Sequence, residues 1–178
     1  MLTNELKRTI ISDITSLIGT INNPPLLSDS HWLELDSGIW LLNDRQYNLI
    51  TNLTEPVLLR QLKYAGIFIG KVRRNFGLSI ESLHFLQPYI TRYITIKGKT
   101  LQKFLYGKTI TVTISKSSLN DLGLKKIIIM TVEKEPVGIA GFTLLEEYKD
   151  NRDKKISLKL EPITDLGMFL RKERTMFE

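Results

Sequence analysis

Four cations fall within seven residues in the run Lys149-Asp150-Asn151-Arg152-Asp153-Lys154-Lys155. Ammonium and guanidinium groups at this spacing can each donate to a different phosphate, so the chemistry on offer is contact with a polyanion. Read as a polar loop between two strands, the run presents Lys149, Arg152, Lys154 and Lys155 together, although an ordinary charged turn has the same composition. Lys159 extends the charge along the solvent side of the following strand. Arg171, Lys172 and Arg174 form a second cluster near the C-terminus, where a solvated tail is the plainer alternative. A third group, Lys97, Lys99, Lys103 and Lys108, surrounds a short amphipathic helix. Few aromatics are available for stacking on bases, and Tyr106, beside Gly107, is the best placed of them.

The charge is unevenly spread. Residues 1–95 hold 9 Lys+Arg against 8 Asp+Glu, a net of +1, whereas residues 96–178 hold 16 against 11, a net of +5. The basic half is therefore the C-terminal half, and it carries all three clusters.

Competing chemistries fail on spacing. Gly98-Lys99-Thr100 and Gly107-Lys108-Thr109 each resemble the end of a phosphate-binding P-loop. That motif needs a glycine five residues earlier, and those positions hold Tyr93 and Gln102. The two histidines, His31 and His84, are far apart in sequence. Asp29 or Ser30 beside His31 could be drawn as a catalytic set, but nothing in the sequence orients them. With no cysteine, the chain has no disulfide, no zinc–thiolate site and no thiol nucleophile. The spacing of the remaining candidate ligands suggests no metal or other cofactor. Glu146-Glu147 reads as a solvated loop edge. There is no apolar run of the roughly 18 residues that a membrane span needs, and no signal-peptide pattern at the N-terminus. These readings favour a non-catalytic cytoplasmic protein.

The elements that would hold the basic residues follow from periodicity. Leu2, Leu6, Ile10, Ile14, Leu17, Ile18 and Ile21 keep helical spacing, and Pro24-Pro25 closes that helix. Strand patterns follow over Leu33–Leu35 and Ile39–Leu42, with Ser37-Gly38 as the turn between them. Asn43-Asp44 reads as a further turn leading into Tyr47–Ile50, a third strand. Thr54-Glu55-Pro56 opens a helix that takes in Leu58, Leu59, Leu62 and Tyr64. A strand is expected over Ala65–Arg74, with a return strand through Leu78 and Ile80. Glu81–Tyr89 then forms a helix that packs through Leu83, Phe85 and Leu86. From Tyr93 the pattern changes. A strand alternating Ile94 and Ile96 with polar residues leads into a helix carrying Leu101, Phe104 and Leu105, which Gly107 stops in the left-handed conformation. Strands follow at Ile110–Ile114, Ile127–Val132, Val137–Phe142 and Ile156–Leu160, five or six short ones in all. The fold class is α+β. An N-terminal antiparallel α/β domain, residues 1–92, precedes a C-terminal β pseudo-barrel, residues 93–178.

Three segments in this order are similar to a known family. They are Lys103-Phe104-Leu105-Tyr106-Gly107 after a strand, Pro136-Val137-Gly138-Ile139-Ala140-Gly141, and Thr164-Asp165-Leu166-Gly167-Met168-Phe169-Leu170-Arg171-Lys172-Glu173. Together they resemble a PUA domain, an RNA-binding pseudo-barrel. The Phe104–Gly107 run, Pro88-Tyr89, the Asn43-Asp44-Arg45 turn and the Gly70-Lys71 strand end are more specific. They look like the Nip-seven family of large-subunit ribosome-biogenesis factors, and the resemblance covers nearly the whole chain. It implies a non-catalytic protein that assists ribosomal RNA processing. The C-terminal domain would bind uridine-rich or pre-ribosomal RNA, and the N-terminal domain would contact other assembly proteins. The missing cysteine and the basic run after Tyr148 point to an archaeal member; a eukaryotic source would place it in the nucleus or nucleolus. The alternatives are a PUA-containing translation factor acting on the small subunit, an RNA-modifying enzyme with a PUA appendage, and a protein adaptor. About ninety residues are too few for a modifying core beside the barrel.

Overall fold

The computed structural model describes residues 2–20, 22–52, 62, 64–115, 125–150, 153–168 and 171. The chain divides into two compact units, Met1–Tyr89 and Ile90–Glu178. Each has its own sheet.

In the first unit, helix α1 (Asn4–Ile18) starts where the Thr3 hydroxyl accepts the Leu6 N–H at 3.3 Å. It ends at Gly19, whose φ of 78° lets its N–H return to the Thr15 carbonyl. Ile10, Ile14, Leu17 and Ile18 form its buried stripe. After α2 (Pro25–Ser28), strands β1 (His31–Leu35) and β2 (Gly38–Leu42) make a hairpin. Its central residues are Asp36 and Ser37, both at positive φ, as a turn matching the strand twist requires. Gly38, placed in the turn by the sequence reading, opens β2 instead. Strands β3 (Ile67–Val72) and β4 (Phe76–Leu78) complete an antiparallel sheet in the order β1-β2-β3-β4.

The expected strand at Tyr47–Ile50 is a helix, α3 (Asp44–Thr51). The Asn43 side chain accepts the Gln46 N–H at 2.9 Å, and the Gln46 side chain accepts the Asn43 N–H at 3.1 Å. This capping box satisfies two end groups at once, and it outweighs a short apolar run with no buried face to fill. The expected helix from Thr54 through Leu59 lies outside the described residues, while Leu62 and Tyr64 are not helical. Helix α4 (Ile80–Leu86) is capped by the Ser79 hydroxyl and leads into a 3-10 turn at Gln87–Tyr89. It buries Ile80, Ser82, Leu83 and Leu86 and leaves Phe85 51% exposed, so Phe85 is not part of its packing face.

The second unit is a five-stranded sheet in the order β5-β7-β8-β9-β6, curled into a half-barrel. Its strands are β5 (Tyr93–Thr95), β6 (Ile110–Ser115), β7 (Lys126–Met130), β8 (Pro136–Asp150) and β9 (Asp153–Asp165). The β5–β7 pair is parallel and the other pairs are antiparallel. Two of the strands are long, 15 and 13 residues, where short ones were expected. Glu146 and Glu147 accordingly lie within β8 and not on a loop edge. The inward side chains Ile94, Ile96, Ile110, Ile127, Ile129, Val137, Ile156, Leu158 and Leu160 surround Phe104 of helix α5 (Gly98–Leu105). Phe104 is fully buried, with Leu101 and Leu105 partly buried beside it, so α5 plugs the half-barrel. A Cβ on Gly138 would lie 2.7 Å from Phe104 Cε1 and 2.5 Å from the Thr164 carbonyl, which explains a glycine inside that strand.

Candidate nucleic-acid interface

The packing of Phe104 fixes which side of α5 faces outward. Lys99, Lys103 and Tyr106 follow at i, i+4 and i+7, one side of a helix, and all are exposed, Tyr106 by 61%. The C-terminus of α5 is a Schellman motif. Gly107 donates its N–H to the Phe104 carbonyl at 2.8 Å, and Lys108 donates to the Lys103 carbonyl at 3.0 Å. Gly107 takes the left-handed conformation this requires, φ 74°, as the sequence indicates. The turn folds Lys108 back over the helix end, so Lys103, Tyr106 and Lys108 share one short exposed stretch of backbone.

A second device holds this turn from behind. Asp165, only 2% exposed, receives both guanidinium arms of Arg171, at 3.0 and 2.8 Å. Nη1 of Arg171 also donates to the Leu105 carbonyl, one of the acceptors left open at the end of α5. The Asp165 hydrogen bond raises the Arg171 pKa above its ordinary value; desolvation opposes the shift, and the charge of Asp165 reinforces it. Gly167 lets the two segments close up, because a Cβ there would overlap the Leu105 carbonyl. Arg171 is thus neither a solvated tail residue nor an open phosphate donor. Its arms are committed to Asp165 and to the backbone of α5. Nothing in the sequence spacing of Asp165 and Gly167 shows that residues 165 and 105 meet, so their positioning role is visible only in the fold. Lys172 lies outside the described residues.

The basic run is not a seven-residue loop. Strand β8 continues to Asp150 and β9 begins at Asp153, with Lys149 opposite Lys154 and Tyr148 opposite Lys155. Only residues 151 and 152 connect the strands, and Arg152 lies outside the described residues. Successive residues of a strand point to opposite faces, which separates Lys154 from Lys155. Lys155 and Lys159 alternate with the buried Ile156, Leu158 and Leu160 and so lie on the outer face of β9. Lys159 pairs with Glu161 at 2.6 Å. Lys154 shares the register of the core residues yet is exposed, because the hairpin runs past the end of the core. The run therefore supplies cations to two faces of a projecting hairpin.

No catalytic constellation accompanies these surfaces among the described residues. His31 stacks on Tyr47 with ring centroids 3.9 Å apart, and its Nε2 lies 2.9 Å from Asp44 Oδ1. The sequence reading saw nothing to orient His31; Asp44 and Tyr47 do so, on an exposed surface and away from Asp29 and Ser30 as partners. No group of three or more His, Asp or Glu side chains could hold a metal ion among the described residues.

Residues 92–174 match the UPF0113 PUA domain family, which spans nearly all of the second unit. Over 98% of its length the chain is similar to the 60S ribosome subunit biogenesis protein NIP7 homolog of Danio rerio, with 26% identity across 184 residues and 98% of that protein covered. The half-barrel plugged by α5 thus matches a PUA-type domain, and over nearly its whole length the chain is similar to a Nip7 homologue.

Proposed function

We propose that the protein is a non-catalytic RNA-binding factor that assists ribosomal RNA processing and large-subunit assembly. Its PUA domain takes uridine-rich or pre-ribosomal RNA, and its first unit contacts other assembly proteins. The observation that carries this reading is the outward surface of α5, where Lys99, Lys103 and Lys108 flank a Tyr106 that is 61% exposed. Cations beside an unburied aromatic ring suit a flexible strand, with phosphates held by charge and one base stacked on the ring. The name of the Danio rerio relative supports the link to ribosome assembly. Among the described residues no helix is long and apolar enough to cross a membrane.

A salt titration of oligouridine binding tests the reading. Each phosphate contact on a single strand contributes about 0.7 to the log–log salt slope. Replacing Lys99, Lys103 and Lys108 together by alanine should therefore flatten the slope by roughly 2. The hairpin substitution Arg152→Ala/Lys154→Ala/Lys155→Ala measures the other basic surface on the same scale. Tyr106→Ala should lose about 1–3 kcal/mol of binding that persists at high salt, the signature of stacking. Unchanged slopes in both triple variants would refute RNA binding by these surfaces.

A further inference from the structure

The first unit carries a cleft of about 440 Å³ lined by Leu35, Gly38, Trp40, Tyr64, Phe68 and three charged residues, Asp36, Lys71 and Glu81. Its aromatic wall is a corner. Trp40 meets Tyr64 at 79° with centroids 5.9 Å apart, and meets Phe68 at 50° and 4.9 Å. A group seated between rings set so steeply meets the face of one and the edge of another. Tyr64 is 77% exposed, an unusual amount of bare ring for a residue contributing to a packed corner. Among the described residues the buried Nε1 of Trp40 has no hydrogen-bond partner, and the rings of Tyr64 and Phe68 pack against the indole.

The charges lining this corner decide what it suits. Among the described lining residues two carboxylates stand against one ammonium. Among the described residues neither Asp36 nor Glu81 has an ion pair or a side-chain hydrogen bond. Asp36 is held at the rim by the β1–β2 turn, at φ 47°, and Glu81 by the first turn of α4. Aromatic faces attract cations, and unpaired carboxylates beside them add to that attraction while repelling phosphate.

We propose that this cleft binds the guanidinium of an arginine on a partner protein, stacked in the Trp40–Tyr64–Phe68 corner and paired with Asp36 or Glu81. A planar cation both stacks on rings and forks onto a carboxylate, which an ammonium does less well. The proposal stands on the first unit alone and is independent of RNA binding by the PUA domain.

The test follows the Trp40 indole N–H signal by NMR in the full chain, assigned with Trp40→Phe, during titration with the peptide acetyl-Gly-Arg-Gly-amide. Saturable shifts in the millimolar range or tighter are expected. The citrulline peptide, which keeps the shape without the charge, should leave the signal in place. Glu81→Gln and Tyr64→Ala alter exposed side chains and should each weaken binding roughly 2- to 5-fold, the share expected of a single exposed cation–π or charge contact. Equal shifts with arginine and citrulline would overturn the charge argument. Shifts with oligouridine but not with the arginine peptide would make the cleft a nucleobase site and overturn the proposal, as would no response to the arginine peptide.

Discussion

Replacing Arg171 by methionine should destabilise the PUA domain far more than a surface ion pair would allow. The substitution keeps an unbranched apolar stem and removes three polar contacts, two to Asp165 and one to the Leu105 carbonyl. The Asp165 carboxylate, with 3% of its side chain exposed, then stays buried without its partner. Breaking a fully buried pair in this way costs about 3–5 kcal/mol. Arg171 keeps 37% of its own side chain exposed, so water can reach the vacated position. That screening lowers the expected loss to about 2–3 kcal/mol. For a unit of this size each kcal/mol shifts the melting temperature by roughly 4–8 °C, which predicts a drop of about 8–24 °C in the transition of the second unit.

The raised pKa of Arg171 also fixes how its contribution depends on pH. A cation whose folded-state pKa lies above its unfolded value contributes fully below the unfolded value, and the contribution is lost only as pH rises through the folded one. For arginine that window is strongly alkaline, so the arginine's own titration adds no slope between about pH 6 and 9. Calorimetry of wild type, Arg171→Met, Asp165→Leu and the double variant would separate the pair from its parts, and the double variant should recover much of the loss because no charge is left buried. A loss below about 0.5 kcal/mol in Arg171→Met would mean that the pair behaves as an exposed bridge and that the clamp reading is wrong.

Gly107→Val should cost about 1–3 kcal/mol, because φ is 74° there and the new Cβ would press to 3.1 Å from the Arg171 Cζ; an unchanged melting temperature would count against the strained turn. Asn43→Ala should remove the capping box of α3 and lower the stability of the first unit by about 1 kcal/mol in denaturant titration. Asn43→Asp, which keeps an acceptor at the cap, should lose much less.

A residue's place is legible in the sequence where its own pattern decides it. Ile94, Ile96, Ile156, Leu158 and Leu160 alternate as half-buried strands do, and each is buried as that alternation implies. Leu101, Phe104 and Leu105 mark the packed side of α5, and Gly107 ends it as a left-handed glycine should. That place is not legible where two signals compete or where distant segments meet. Tyr47–Ile50 looks like a strand by composition, but the cap at Asn43 decides for a helix, and a run of four residues is too short for periodicity to choose. The polar run after Tyr148 looks like a loop because turn residues and charges fill it. Once a hairpin projects beyond its core neither face needs apolar side chains, so β8 and β9 extend through Asp150 and Asp153 with no hydrophobic signal.

The pairing of β8 with β9 bears on what the basic run can do. A mobile loop could gather four cations around one phosphate, whereas a paired hairpin holds Lys154 and Lys155 on opposite faces. One rung sets Lys149 across from Lys154 in the backbone register, and the next sets Asp150 across from Asp153. Lys154 and Lys155 therefore serve two surfaces and not one closing grip. The α5 surface differs in kind. Its cations and its ring come from one helix end, closed by the Schellman turn and held from behind by Arg171 and Asp165. Rigid placement lowers the ordering cost when a flexible strand docks. On the proposed reading, the helix end is the surface suited to stacking a base, and the hairpin the one suited to following a backbone.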